Sequence, residues 1–274
     1  MSQGVVISQP RNHEKGRQDM QMNPVVIQPG YPGMQGQPGM MMGPPPNVVI
    51  PYGLPPSLAY LQSLDLIKVH QILELAEVLI GWERNNKYDI CNGQDQKFLY
   101  AKEDTDCCTR QFCGVMRPFV MNVSDLQGTP LMTLHRPFRC QGSIFWCCCL
   151  QEMEIQSPPG VLQGRVKEIW TCCVPKYKVY DAQNQCVFTI VGDCCYCKCC
   201  ADVVFRVFEG DNEGSEGSED IQILKHWGGC REVFGGANDF SIKFPANLDL
   251  MKKVLLFGAT FLIDFNYFEY RGNQ

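Results

Sequence analysis

The sequence predicts a mostly β domain, one antiparallel sheet that meanders, curls and closes, behind a disordered tail and completed by a hydrophobic helix. Three observations carry this. Composition breaks sharply at Ser57. Half-apolar runs of strand length then recur to about residue 245, joined by turn residues. The most apolar run, "VLLFGATFLIDFNYF" at 254–268, is short and holds a carboxylate, Asp264.

Residues 1–56 are rich in Pro, Gly, Gln and Met, as in "PVVIQPGYPGMQGQPGMMMGPPPNVVIPYGLPP". Such a segment cannot bury enough apolar surface to offset the entropy of ordering it, so it reads as a disordered spacer with polyproline character. Pro29-Gly30-Tyr31-Pro32 fits the PxxP pattern, which makes SH3 or WW proteins candidate partners. From Ser57, "SLAYLQSLD" reads as a short helix capped by Ser57. "KVHQILELAEVLIGW" at 68–82 suits a helix by spacing, but its flanking strands favour β.

Three hairpins follow: "KYDICNGQDQKFLYAKE", "FVMNVSDLQGTPLMTLHRPF" and "KYKVYDAQNQCVFTIVGD". Each sets two half-apolar runs about a turn, at Asn92-Gly93, Asp125 to Gly128 and Asp181 to Asn184. A cysteine-rich link follows each, and "QEMEIQSP" and "ADVVFRVFE" supply further strands. The pattern is a weak internal repeat, fitting one all-β domain over 57–274.

The apolar run decides between membrane and core. "PANLDLMKK" precedes it, where Asn247 or Asp249 can cap a helix. The wholly apolar part, about 15 residues, spans only ~23 Å at ~1.5 Å per residue, against a bilayer core of ~30 Å. Asp264 near the bilayer centre would add ~3 kcal/mol. A helix apolar on all sides must be surrounded on all sides, and a closed sheet does that. Val254, Phe257, Gly258, Phe261, Asp264 and Phe265 are therefore assigned to a buried helix, with a true span as the alternative. Gly258 and Ala259 would permit close approach of strands, while Phe257, Phe261, Leu262 and Phe265 fill the lumen.

The net charge of −5 and pI near 5.4 give no field to hold nucleic acid. Seventeen cysteines in adjacent runs, behind an amino terminus without a signal-like apolar region, read as reduced, acylated or metal-bound thiols. No Ser-His-Asp order, phosphate-cradling glycine loop or HExxH helix suggests bond-making chemistry, so no enzyme is expected.

Several stretches also carry a resemblance: "NNKYDI" at 85–90, "EDTD" at 103–106, "RPF" at 117–119, "RPFRC" at 136–140, "LQEMEIQSPPG" at 150–160, "FPANLDL" at 244–250 and "FLIDFNYFE" at 261–269. In this order and spacing the chain resembles a phospholipid scramblase of the cysteine-rich, calcium-responsive kind, from Leu58 to Glu269. The resemblance implies a tubby-like fold, a twelve-stranded antiparallel barrel closed around a hydrophobic C-terminal helix. It implies passive, ATP-independent, Ca²⁺-responsive movement of membrane phospholipids in both directions between leaflets. The alternative is a lipid-anchored adaptor that binds phosphoinositides and SH3 or WW partners without translocating lipid. Oligomeric state is left open.

In that family an acidic loop before the C-terminal helix is proposed to bind calcium, and the matching stretch is "GANDFSIKFPANLD", 236–249. Hard cations take about six to eight oxygens, several of them carboxylate. Here Gly236, Asn238 and Asn247 stand where carboxylates are usual, and Lys243 adds opposing charge. The resemblance thus implies a weak Ca²⁺ site on Asn238, Asp239, Asn247 and Asp249; ordinary strand–turn–helix capping is the alternative. The family's S-acylated cysteines correspond to Cys147, Cys148 and Cys149, whose acyl chains would hold the protein at the cytoplasmic face of the plasma membrane. A rival Zn²⁺ site would use Cys194 to Cys200 with Cys172 and Cys173. "LKHWGGC" at 224–230 resembles a basic-aromatic stretch linked in relatives to nuclear import, implying a nuclear pool when acylation is absent; by its own residues it reads as a strand end.

Overall fold

The computed structural model describes residues 25–26, 49–72, 85–139, 150–193, 201–211, 220–228 and 238–269. Two short strands, β1 (Val25–Val26) and β2 (Val49–Ile50), pair with each other outside the main sheet. The main sheet comprises β3 (Leu66–Gln71), β4 (Lys87–Asn92), β5 (Lys97–Asp104), β6 (Phe119–Asp125), β7 (Pro130–Arg136) and β8 (Glu152–Ser157). It continues through β9 (Val161–Glu168), β10 (Lys176–Asp181), β11 (Cys186–Gly192), β12 (Val203–Glu209), β13 (Gln222–His226) and β14 (Asp239–Lys243). Each strand pairs antiparallel with the next, and β14 pairs with β3, so the meander closes into a twelve-stranded barrel. Closure removes every sheet edge.

The three hairpins form as read, and their turns share one device. Asn92, Asp125 and Asp181 each accept, at Oδ1, the backbone N–H groups two and four residues on. The residue three positions on takes the left-handed conformation: Asp95 (φ 62°), Gly128 (φ 84°) and Asn184 (φ 61°). Asp and Asn tolerate that region because their short side chains bond locally.

Alternation along the strands points one side chain in two at the lumen. Ile67 and Val69, Tyr88 and Ile90, Phe188 and Ile190, Phe240 and Ile242 all lie inside. The outer face of β3, β4 and β5 carries Lys68, His70, Lys87, Asp89, Lys102 and Asp104. That is the reverse of a membrane-spanning barrel, which turns its apolar residues outward.

The lumen holds the helix Leu250–Tyr267. Asp249 caps it, its Oδ1 accepting from Met251 N–H at 2.9 Å and Lys252 N–H at 3.3 Å. Every residue from Lys253 to Phe265 is buried, so the helix is enclosed all round. Phe265 stacks on Phe119 with centroids 4.0 Å apart, and Phe261 meets Tyr88 edge-on at 5.1 Å. A Cβ on Gly258 would come within 2.4 Å of Ile155 Cδ1, so the glycine sets how closely β8 approaches the helix. Among the described residues no helix is long and apolar enough to cross a membrane.

Lys253 is the buried charge near the start of the helix. Its ammonium donates to the carbonyls of Gln62 at 2.9 Å, Leu64 at 2.6 Å and Ala246 at 3.1 Å. Burial lowers its pKa to about 8, opposed by Asp65. These bonds tie the helix to the 3-10 turn Pro56–Ser63, the "SLAYLQSLD" segment. Ser57 does not cap that turn: Pro55 stands at the cap position, without a side-chain bond, and Ser57 falls inside the first turn.

The described fold also begins before Ser57. Ile50 and Leu54 are buried, and Gly53 (φ 82°) lies against Gln163 and Val161 of β9. The strand reading of 68–82 holds for Lys68 to Gln71 within β3, while 73–84 lie outside the described residues, as does the Pro29–Pro32 motif.

Two outcomes test the enclosed helix. A chain ending before Val254 should lose its cooperative β-sheet melt by circular dichroism, because several large side chains worth ~1.5–3 kcal/mol each leave the lumen; a full-length-like melt would contradict the enclosure. Gly258→Val should lower the unfolding free energy from urea melts by roughly 2 kcal/mol or more, and Gly258→Ala by less, because its Cβ also meets Ile155 while helix propensity returns up to ~1 kcal/mol.

Candidate functional site

The four residues nominated for calcium do not converge. Asp239 opens β14 and Asn238 directly precedes it; Asn238 Nδ2 donates to Asp264 Oδ1 at 2.8 Å and Asp239 Oδ1 meets His70 Nδ1 at 2.9 Å. Asp249 caps the helix at its other end, and Asn247 is exposed in the turn before it. Asn238 touches the helix at Asp264, about four turns from that cap, or ~20 Å at ~1.5 Å per residue. One cation with ligands at ~2.4 Å cannot join both pairs. The reason is chain direction: β14 carries the backbone from one end of the barrel to the other between them. Among the described residues no three His, Cys, Asp or Glu side chains cluster to hold a metal.

Cys147 to Cys149 and Cys194 to Cys200 lie outside the described residues, while Cys172 and Cys173 are exposed in the β9–β10 connection. The described part of "LKHWGGC", 224–228, is a strand end, as read: Lys225 is buried in β13 and Trp227 is exposed just beyond it.

What the fold does bring together is a polar network where the central helix ends. The last inward-facing position of β5 is Glu103, of β7 Arg136, of β9 Glu168 and of β13 Lys225, so the final layer of the lumen is charged. Arg117 Nε donates to Glu103 Oε1 at 2.6 Å and Nη2 to Oε2 at 3.0 Å, a bidentate pair. Arg117 also pairs with Glu269, which accepts from Asn86 Nδ2 at 2.8 Å. Thr105 Oγ1 and the backbone N–H of Asn86 complete the Glu103 carboxylate. Arg136 lies over the Phe119 ring and donates through Nε to Gln151 Oε1 at 3.0 Å. Asp264 accepts from Tyr88 Oη at 2.7 Å and from Asn238.

Apart from Glu168, Lys225 and Asn238, these side chains come from the motif stretches at 85–90, 103–106, 117–119, 136–140, 150–160 and 261–269. Sequence reasoning nominated Asp264 but missed Glu103, Arg117 and Glu269. The available signal was a charged residue at the inward phase of an otherwise apolar alternation, as in Leu99, Ala101, Glu103. The arrangement clamps the helix end to the wall.

Electrostatics follow from burial. Desolvation lifts the Asp264 carboxyl from 3.8 to about 6, opposed by Tyr88, Lys225 and Asn238. It lifts Glu269 from 4.5 to about 7, with Glu103 adding to the rise and Arg117 opposing it. Burial lowers Arg136 to about 10, leaving it charged at neutral pH. Burial alone would lower Arg117 as well, but Glu269 and Glu103 outweigh it and raise the guanidinium above its ordinary value.

On the outer face the fold assembles a chain that sequence order concealed. His226 Nδ1 lies 3.1 Å from Asp202 Oδ2, and its Nε2 lies 2.7 Å from Ser241 Oγ. The order matches a hydrolytic triad, but β14 is paired on both sides, so the N–H groups around Ser241 are committed to the ladder. No strand N–H there is left to receive an oxyanion.

A closed antiparallel barrel threaded by its own C-terminal helix, with scattered motifs gathered at the helix end, defines the class of protein. The chain belongs to the scramblase family, which it matches over residues 45–270. It is 46% identical over 254 residues to phospholipid scramblase 1 of Rattus norvegicus, covering 92% of this chain and 73% of that one. It is 45% identical over 249 residues to phospholipid scramblase 2 of Bos taurus, covering 90% and 82%. To phospholipid scramblase 4 of Homo sapiens it is 40% identical over 257 residues, covering 90% and 74%. No solved structure matches the chain.

Asp264 and Glu269 hold protons more tightly folded than unfolded, so their contribution to stability is full below pH ~4 and lost as pH rises toward ~7. Asp264→Asn can keep both bonds, accepting from Asn238 and donating to the Tyr88 oxygen. The variant should match wild type near pH 4 and gain on it by up to about 3 kcal/mol at pH 7. Urea midpoints across that range test this; a pH-independent difference would contradict it.

Proposed function

We propose that this chain is a phospholipid scramblase-like protein working from the membrane surface, moving phospholipids in both directions between leaflets without ATP. The observation that carries the reading is its family membership together with its kinship to proteins named phospholipid scramblases. The enclosed helix and the charged outer strand face argue against a protein-lined track through the bilayer. Lipid passage would then proceed through local thinning and water defects beside the docked protein. S-acylation of Cys147, Cys148 and Cys149 anchors it to the cytoplasmic face of the plasma membrane, and the unacylated chain supplies a nuclear pool. The calcium response rests on the resemblance, and it must draw on oxygens other than the nominated four acting as one set.

The adaptor reading is favoured by the same enclosed helix, because a domain without a hydrophilic track is suited to binding lipid headgroups and the Pro-rich tail to SH3 or WW partners. Reconstitution separates the two. Purified protein on liposomes carrying a leaflet-specific fluorescent lipid should expose inner-leaflet lipid without ATP, faster with Ca²⁺; bound protein that moves none leaves the adaptor. Replacing Cys147, Cys148 and Cys149 with Ser should release the protein from cell membranes on alkaline carbonate washing, and full retention would remove acylation as the anchor.

A further inference from the structure

We propose that the barrel docks end-on to a phospholipid bilayer, through the rim that surrounds the carboxyl-terminal end of the central helix. The proposal rests on the lipid-surface reading above and adds which surface faces the lipid.

In an antiparallel meander the connections alternate between the two ends of the barrel. Those after β3, β5, β7, β9, β11 and β13 emerge where the helix finishes. In sequence, these six hold all four tryptophans, Trp82, Trp146, Trp170 and Trp227, and every cysteine except Cys91 and Cys186. The connections at the opposite end hold neither residue. They are short turns, plus the acidic stretch 210–221 with Asp211, Glu213, Glu216, Glu219 and Asp220.

The described aromatics of the rim are solvent-facing to an unusual degree. Phe112 is 88% exposed, Trp170 57%, Phe138 56% and Trp227 41%. They sit on four separate connections distributed around the ring, after β5, β7, β9 and β13. A groove-bound peptide would touch one or two of them, whereas a plane touches all four. Trp and Phe are the side chains that favour the boundary between headgroups and acyl chains. The acidic far end is repelled by an anionic leaflet, which fixes which way up the barrel sits. Cys172 and Cys173 are exposed on this rim, and the connection that carries Cys147 to Cys149 leaves β7 and enters β8 there. Acyl chains and aromatic wedges would then enter the same leaflet.

The test uses the full chain with unacylated thiols and phosphatidylcholine–phosphatidylserine vesicles whose acyl chains are brominated. Binding should quench the tryptophan emission, because the described tryptophans, Trp170 and Trp227, are exposed on the docking rim. Phe112→Ser/Trp170→Ser/Trp227→Ser should weaken vesicle binding about tenfold or more. The far-end control Val49→Ser/Tyr52→Ser/Leu126→Ser, at residues that are 52%, 61% and 43% exposed, should leave it unchanged. Should the triple variant fail to melt cooperatively, Trp170→Ser alone should show the same direction. Absence of binding by the wild-type chain, or an equal loss in the two variants, would overturn the docking pose. A leaflet-exchange assay in the same vesicles keeps the two claims apart. Rim variants that bind normally while lipid moves overturn the pose alone. A rim-dependent chain that moves no lipid supports the pose and sinks the scrambling reading.

Discussion

A helix apolar on every side must be enclosed on every side, and the rest of this structure answers that demand. Twelve strands spaced ~4.8 Å apart and tilted give a barrel roughly 20–25 Å across between backbones. A helix with its side chains is ~10 Å wide. The remaining annulus is filled by one inward layer from the strands, which is why each strand alternates so regularly. Where the fit is tightest a side chain disappears: Gly258 on the helix faces Ile155, and Gly164 on β9 faces Leu255. The two helix ends are then fixed by polar devices, the Asp249 cap and Lys253 tether at the start and the ionic network at the finish.

The network is also the costly part of the design. Glu103 and Arg117 are almost wholly removed from water, and removing one partner of such a pair leaves an uncompensated buried charge. Hydrogen bonds from Thr105, Asn86 and the Asn86 backbone supply what solvent no longer does. Six of the seven stretches that carried the family resemblance are distant in sequence but meet here, so their joint spacing reads as the footprint of one buried cluster; the seventh, 244–250, runs to the helix cap at the other end.

Much of this was legible from local chemistry. The hairpins were visible because alternation and Asx turns are written within a dozen residues, and the enclosed helix because its length and Asp264 argued against a span. Reading was less accurate where geometry depends on the whole fold. The Asn92 hairpin was read from Asn92-Gly93, yet the residue in the left-handed region is Asp95, because the Asn92 side chain organises a longer turn. The calcium set looked contiguous in sequence, but a strand crossing the barrel divides it. The role of Lys253 as a tether depends on carbonyls almost two hundred positions earlier, which nothing local to it reveals. Asp202, His226 and Ser241 meet because β12, β13 and β14 pair in register.

Enclosure of the helix also decides on which side of a membrane its two flanks lie. If the helix fills the barrel, residues on both sides of it stay on the same side of any membrane; if the helix spans, they are separated by the bilayer. The most direct measurement is protease protection of an epitope placed after Gln274, in sealed vesicles that carry the protein on their outer surface. The account predicts that the epitope is digested without detergent, as one placed at the amino terminus is. An epitope protected until detergent is added would contradict it.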